Sequence, residues 1–163
     1  MNKKIFLILH NIRSLHNVGS IFRTADTAGV EKMYLTGYTP SPLDMFGKVR
    51  KEIAKTALGA EKTVPWEKHK NISSLIQSVR SSTSNIKIVA VEQDEKAIDY
   101  RQFSLDSSRD KQPVALILGN EVRGLSKQIL KKCDTIIEIP MKGKKESLNV
   151  AVATGIILFN LVD

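Results

Sequence analysis

Hydrophobic and polar positions alternate along the chain in blocks whose lengths suit strands and helices in turn. Short uninterrupted apolar runs predict buried strands, most clearly at residues 5–9 and 114–118. Further strands are predicted at residues 31–36, 64–66, 86–91 and 135–139. Segments with helical spacing or stop signals predict helices at residues 21–28, 46–58, 73–82, 125–132 and 148–161. This alternation predicts an α/β domain with a mainly parallel sheet flanked by helices.

Three predicted loops hold most of the unusual polar residues, and each follows a predicted strand. They lie within residues 11–20, 119–124 and 140–149. Ligands on open parallel sheets bind beyond the carboxyl ends of the strands. We therefore expect the three loops to converge on one site.

The composition indicates a single domain over residues 1–163. With 42% hydrophobic residues, the chain has enough apolar side chains for a core. The 25 Lys and Arg residues outnumber the 17 Asp and Glu residues, which gives a net charge of +8. This balance favours a polyanionic partner such as nucleic acid, although a basic solvated surface is an alternative.

The cysteine and histidine content argues against a metal site. Cys133 is the only cysteine, so an intramolecular disulfide is impossible, and His10, His16 and His69 are scattered. The apolar run near the N-terminus is too short for a signal-peptide core or a membrane span. We expect a cytoplasmic protein without a metal or a membrane partner.

The first motif reads Asn17-Val-Gly19-Ser-Ile-Phe-Arg23-Thr-Ala. Gly19 permits a tight turn or a close backbone approach, and Arg23 offers a planar fork to a phosphate. The simpler interpretation is a surface arginine on a helix that Asn17 caps.

The second motif, Leu118-Gly119-Asn-Glu121-Val-Arg-Gly124-Leu-Ser, follows the clearest strand. It matches neither the dinucleotide fingerprint nor the phosphate loop. Glu121 suits a cationic ligand, or it is a surface glutamate near a helix start.

The third motif runs from Ile139-Pro-Met141 through a lysine-rich segment to Ser147-Leu148-Asn149-Val-Ala-Val-Ala. Ser147 or Asn149 is suited to cap the following helix. The lysines, at positions 142, 144 and 145, either contact RNA phosphates or form a solvated loop.

Taken in order, the three motifs resemble the SpoU (TrmH-type) class of SPOUT RNA methyltransferases, from residue 5 to residue 161. The resemblance implies an α/β domain with a C-terminal deep trefoil knot, which is an exception among folds. It also implies S-adenosylmethionine as cofactor, transfer of a methyl group to a ribose 2′-hydroxyl of tRNA or rRNA, and a homodimer. Ala151 departs from the pattern, because many members have serine there. Members with flanking RNA-binding segments are longer at either end, so the resemblance implies a single methyltransferase domain without large RNA-binding extensions.

The resemblance also assigns roles to residues by matching position. Arg23 resembles the catalytic arginine, and Asn17 resembles its partner in the active site. The residues that resemble the cofactor-binding set are Leu118, Gly119, Glu121, Gly124, Ile139, Met141, Ser147, Leu148 and Asn149. An arginine keeps its proton at neutral pH, so we expect Arg23 to anchor a phosphate and stabilise the developing alkoxide.

Two other functions are compatible with parts of the sequence. One is an RNA-binding protein that keeps this fold without catalysis, and the other is a nucleotide-dependent enzyme of the ordinary doubly wound type. The joint presence of Asn17, Arg23 and Glu121 with Ser147 and Asn149 disfavours the first. The missing dinucleotide and phosphate-loop patterns disfavour the second.

Overall fold

The computed structural model describes residues 3–103 and 112–162, which form one seven-stranded sheet with helices on both faces. The strands are β1 (Ile5–His10), β2 (Lys32–Thr36), β3 (Trp66–His69), β4 (Lys87–Val91), β5 (Ile98–Asp99), β6 (Val114–Leu118) and β7 (Thr135–Glu138). The helices are α1 (Leu15–Thr27), α2 (Lys51–Ala57), α3 (Ala60–Thr63), α4 (Ile72–Ser82), α5 (Lys127–Leu130) and α6 (Val150–Val162). The strand order is β3-β2-β1-β6-β4-β7-β5.

Every pair of neighbouring strands in this order runs parallel. The α/β class with a mainly parallel sheet is therefore confirmed. The chain moves outward from β1 through β2 to β3 and then crosses to β4 on the other side. β6 enters later and fills the place between β1 and β4.

Side chains of the central strands point alternately to two cores. Leu7 and Leu9 pack on one face with residues of α1, α2 and α6, including Phe22. Ile8 and Ile117 pack on the other face with residues of α4 and α5. Because both faces are covered, β6 is apolar at every position and β1 at every position except His10, which explains their uninterrupted apolar runs.

Helix α1 begins earlier than the sequence predicts. Residues 15–20 were expected in a loop, but the helix starts at Leu15, and the Ser14 hydroxyl caps it by accepting from the Asn17 N–H at 3.1 Å. The interpretation of Asn17 as the N-cap is therefore wrong. Gly19 lies inside the helix, where any Cβ would be 2.4 Å from the Ile53 carbonyl oxygen, so it allows α2 to approach closely.

Helix α2 is shorter than predicted. It begins at Lys51 rather than residue 46, because the preceding residues form a hydrogen-bonded turn closed by a bridge between Leu43 and Val49. The short elements α3 and β5 were not predicted. Each is too brief to produce a periodic pattern.

Within the described ranges, no helix is long and apolar enough to cross a membrane. The trefoil knot stays a prediction.

Candidate functional site

A cavity of about 310 Å³ opens at the carboxyl edge of the sheet, beyond β4, β6 and β7. Its volume is at the lower end of the range for small-molecule pockets. The walls come from the residues after β4, the loop after β6, the residues after β7 and the start of α6. The lining residues are Val91, Glu92, Gln93, Leu118, Gly119, Asn120, Glu121, Val122, Arg123, Gly124, Glu138, Ile139, Met141, Glu146, Ser147, Leu148, Val150 and Ala153.

Most of the residues predicted to bind a cofactor lie around this cavity. Those that line it are Leu118, Gly119, Glu121, Gly124, Ile139, Met141, Ser147 and Leu148. Asn149 is not among the lining residues. Its side-chain oxygen instead caps α6 by accepting from the N–H groups of Ala151 at 2.9 Å and Val152 at 3.3 Å.

The carboxylate of Glu121 joins the second motif to the start of α1. It accepts hydrogen bonds from the backbone N–H groups of Arg13 and Ser14, both at 3.2 Å, and from the Asn17 amide at 3.3 Å. Burial raises the pKa of Glu121, but these donors and its own backbone N–H outweigh that effect, so the pKa falls below its ordinary value. Glu121 therefore sits at a helix N-terminus, although the helix is α1 rather than the one that follows it in sequence.

Asn17 connects all three motifs through one side chain. Its amide nitrogen donates to Glu121, and its oxygen accepts from the Asn149 amide at 3.1 Å. The predicted convergence of the three loops is thus observed as a continuous chain of hydrogen bonds. Asn17 positions the other two side chains from outside the cavity wall.

Two glycines allow the loop after β6 to fold tightly. A Cβ on Gly119 would lie 2.7 Å from the Leu125 side chain and 2.8 Å from the carbonyl carbon of Gly124. Gly124 has a φ of +64°, and a Cβ there would lie 2.1 Å from a carboxylate oxygen of Glu92. Larger residues at either position would displace the cavity wall.

Glu92, which the sequence analysis missed, holds this loop against the end of β4. Its carboxylate accepts from the Leu125 N–H at 2.8 Å and from the Gln93 N–H at 2.9 Å. Gln93 in turn donates to the Glu146 carbonyl oxygen at 2.6 Å, which ties β4 to the third motif. The only sequence signal for Glu92 was its position directly after the strand predicted at residues 86–91.

Arg23 lies on the exposed surface of α1 and does not contribute to the cavity wall among the residues that the structure describes. Its helix packs against α6, which begins at the cavity. Within one chain, the structure therefore does not bring the predicted catalytic arginine to the pocket.

The chemistry of the lining suits a ligand with both a flat apolar part and a positive charge. Leu118, Ile139 and Met141 provide apolar contact. The charged groups among the described lining residues are four carboxylates and one guanidinium: Glu92, Glu121, Glu138, Glu146 and Arg123. In the same part of the chain, no group of three or more His, Cys, Asp or Glu residues is arranged to hold a metal ion.

A parallel sheet flanked by helices, with a pocket of mixed polar and apolar lining at its carboxyl edge, is typical of an α/β domain that binds a small molecule. The glycine-rich loop at that pocket lacks the dinucleotide fingerprint. The chain belongs to the SpoU rRNA Methylase family, whose model matches residues 4–159.

Individual relatives agree with this assignment. The chain is 32% identical over 158 residues to the 23S rRNA (guanosine-2′-O-)-methyltransferase RlmB of Haemophilus influenzae, covering 97% of this chain and 59% of that protein. An AdoMet-bound rRNA methyltransferase from Sinorhizobium meliloti superposes with a TM-score of 0.83 at 30% identity, over 98% of this chain and 56% of that one. The TrmH/SpoU tRNA modifying enzyme of A. aeolicus superposes with a TM-score of 0.80 at 30% identity, covering 98% and 74%. The chain thus spans less than two thirds of the first two relatives.

Proposed function

We propose that this chain is an S-adenosylmethionine-dependent methyltransferase that acts on a ribose 2′-hydroxyl of RNA. The observation that carries the proposal is the junction of Asn17, Glu121 and Asn149 beside a cavity built from the second and third motifs. These are the segments by which the chain resembles its family.

The chemistry of the cavity lining suits S-adenosylmethionine. Leu118, Ile139 and Met141 offer apolar contact to an adenine ring, and Gly119 leaves room for close backbone approach. The sulfonium and ammonium groups of this molecule are cations, which suits a wall in which carboxylates predominate. The bound cofactor supplies a methyl group activated by positively charged sulfur.

The side chains of this protein bind and align the substrate rather than form a covalent intermediate. In our proposal, Arg23 anchors a phosphate of the reacting nucleotide and stabilises negative charge that develops on the 2′-oxygen. Lys142, Lys144 and Lys145 are exposed next to the cavity and are suited to neutralise further phosphates.

The placement of Arg23 outside the cavity of its own chain favours a homodimer. Helix α6 carries an exposed apolar stripe at positions 152, 156, 159 and 162, and Val152 is 52% exposed. A contiguous exposed apolar stripe of this kind indicates a contact surface. We propose that two copies pair through α6, so that Arg23 of one protomer faces the cavity of the other.

Calorimetry with S-adenosylmethionine and mapping of 2′-O-methyl groups in RNA test the function together. Calorimetry should detect cofactor binding to the purified protein. RNA from cells that lack the protein should lose a ribose methylation, in tRNA or rRNA, which the wild-type gene restores and an Arg23→Ala gene does not. No cofactor binding, together with no change at any mapped ribose, would support the inactive RNA-binding protein instead.

A further inference from the structure

The loop between β2 and α2 carries two large apolar side chains into solvent. In this segment, which we call the 38–50 loop, Met45 is 89% exposed and Phe46 is 80% exposed. Neither side chain contributes to the two cores. Neighbouring exposed apolar groups of this kind indicate an interaction surface.

The exposed tip is held by a defined turn. The Asp44 carboxylate accepts from the N–H groups of Phe46 at 2.8 Å and Lys48 at 2.9 Å. The Arg50 N–H donates to the Pro42 carbonyl oxygen at 2.9 Å, which closes the base of the turn. Phe46 is therefore presented by a preorganised backbone, which lowers the entropic cost of binding a partner.

Three cationic residues, Lys48, Arg50 and Lys51, follow the exposed tip closely in sequence. Among the ion pairs between described residues, none involves Lys48, Arg50 or Lys51. The Nε of Arg50 is buried and has no hydrogen-bond partner in the described part of the chain. Burial and repulsion from Arg50 both lower the pKa of Lys68, which donates to the backbone oxygens of Thr39, in the loop, and of Gly37, just before it. Clustered cations of this kind attract a polyanion.

The base of the loop touches the cavity. The Tyr38 hydroxyl accepts from the side-chain amide of Asn120 at 2.8 Å, and Asn120 lines the cavity. The Tyr38 N–H donates to Asn11 at 3.1 Å, and the Asn11 carbonyl oxygen accepts from the same Asn120 amide at 3.0 Å. A chain bound along the loop would thus extend from the rim of the proposed active site.

We propose that the 38–50 loop is a docking surface for single-stranded RNA, in which one base stacks on Phe46 while Lys48, Arg50 and Lys51 neutralise adjacent phosphates. This proposal rests on the proposed function only in taking RNA as the substrate. Every base has a flat face that stacks on an aromatic ring, so this contact is independent of sequence. A phosphate backbone supplies the complementary negative charge.

Fluorescence anisotropy with a labelled 12-nucleotide single-stranded RNA of mixed sequence tests the surface. Phe46→Ala should weaken binding by about 5- to 150-fold, since stacking contributes roughly 1–3 kcal/mol per base. Phe46→Trp should bind at least as tightly as wild type, whereas Phe46→Leu should resemble alanine. A blunt duplex of the same length should bind all four proteins equally, because its bases are already stacked.

Charge is tested separately with a matched pair of lysines. Lys131, the control position, is exposed and precedes β7, so it lies at the amino end of the parallel strands. Lys48→Ala should weaken RNA binding and make it less dependent on salt concentration, whereas Lys131→Ala should do neither. The proposal would be overturned if Phe46→Ala bound the single strand as tightly as wild type does. It would also be overturned if Phe46→Ala changed the sedimentation of the protein and left its RNA affinity unchanged. S-adenosylmethionine affinity, measured in the same variants, should stay at the wild-type value, so failure of the loop is distinguishable from failure of the methyltransferase proposal.

Discussion

Glu121 is the residue at which the start of α1 and the loop after β6 are joined. Its carboxylate is held by three donors from residues 13–17. A charged acceptor at a helix N-terminus stabilises both the helix and its own ionised form. The same group therefore contributes to folding and to the charge of the cavity wall.

Replacing Glu121 with glutamine should make stability less dependent on pH. The folded-state pKa of Glu121 is lowered, so its stabilising contribution is complete above the unfolded pKa of about 4.3 and is lost as the pH falls through the folded pKa. Denaturant unfolding of Glu121→Gln should show a deficit at pH 7 that disappears in acid. Glu95→Gln, at an exposed position, is the control and should show no such deficit. A deficit that is equal at pH 7 and pH 3 would contradict this assignment.

Gly119 provides a second residue-scale prediction. Gly119→Ala places a Cβ 2.7 Å from Leu125 and 2.8 Å from backbone of Gly124, so the cavity wall must shift. We expect S-adenosylmethionine affinity to fall by about tenfold or more, equivalent to roughly 1.4 kcal/mol. Gly143→Ala is the matched control in the third motif, because a Cβ there meets no atom within 4 Å. Equal affinities for the two variants, measured by calorimetry, would remove Gly119 from the binding wall.

Among the elements, α6 contributes to both the core and the surface. Ile157, Leu158 and Leu161 are buried against the sheet, whereas Phe159 and Val162 are exposed. A helix that is apolar around its circumference needs a partner on its outer face. This requirement supports pairing of α6 with a second copy.

Phe159→Glu should therefore weaken the proposed dimer. Sedimentation velocity should show a monomer at concentrations where the wild-type protein is a dimer, because the variant would bury an unpaired carboxylate in the interface. Leu58→Asp, which replaces another exposed apolar residue at a left-handed position, should leave the dimer intact. A wild-type protein that is monomeric throughout would refute the α6 interface.

The sequence predicted an element well where its hydrophobic pattern was long. It missed helix starts where the capping residue was inconspicuous. β1 and β6 were predicted from residues 5–9 and 114–118, because burial on both faces makes these two runs apolar throughout. The start of α1 was missed because Leu15, His16 and Asn17 form a mixed-polarity first turn, whose cap is the less conspicuous Ser14. The start of α2 was missed because the helix-like spacing of residues 46–50 belongs to a turn organised by Asp44.

At the scale of the whole molecule, the site combines segments that are distant in sequence. The motifs predicted most of its lining, because they follow strands whose carboxyl ends meet at one edge. They did not predict Glu92 or Gln93, which required the knowledge that β4 lies beside β6. They also did not predict that Arg23 lies outside the cavity of its own chain, because the direction of a helical side chain depends on how the helix packs.

Mixed dimers test whether Arg23 acts across protomers. Arg23→Ala lacks the guanidinium, and Gly119→Val lacks a binding-competent cavity, so each variant alone should be inactive. Co-expressed, they form a heterodimer in which one intact cavity faces one intact Arg23, and methyl transfer to a mapped RNA substrate should return. Ala153→Trp, which fills the cavity from α6, replaces Gly119→Val if that variant does not fold. Activity that stays absent in the mixture would place Arg23 in the site of its own chain.

The position of β6 also has a consequence for biosynthesis. Ile5 pairs with Val114, so β1 is synthesised well before β6, which is one of its two neighbours in the sheet. During translation, β1 and β4 each present an open edge that can pair with strands of other nascent chains. The high sequence separation of these contacts also predicts slow refolding. The folding yield of this domain during production should therefore depend on chaperone supply.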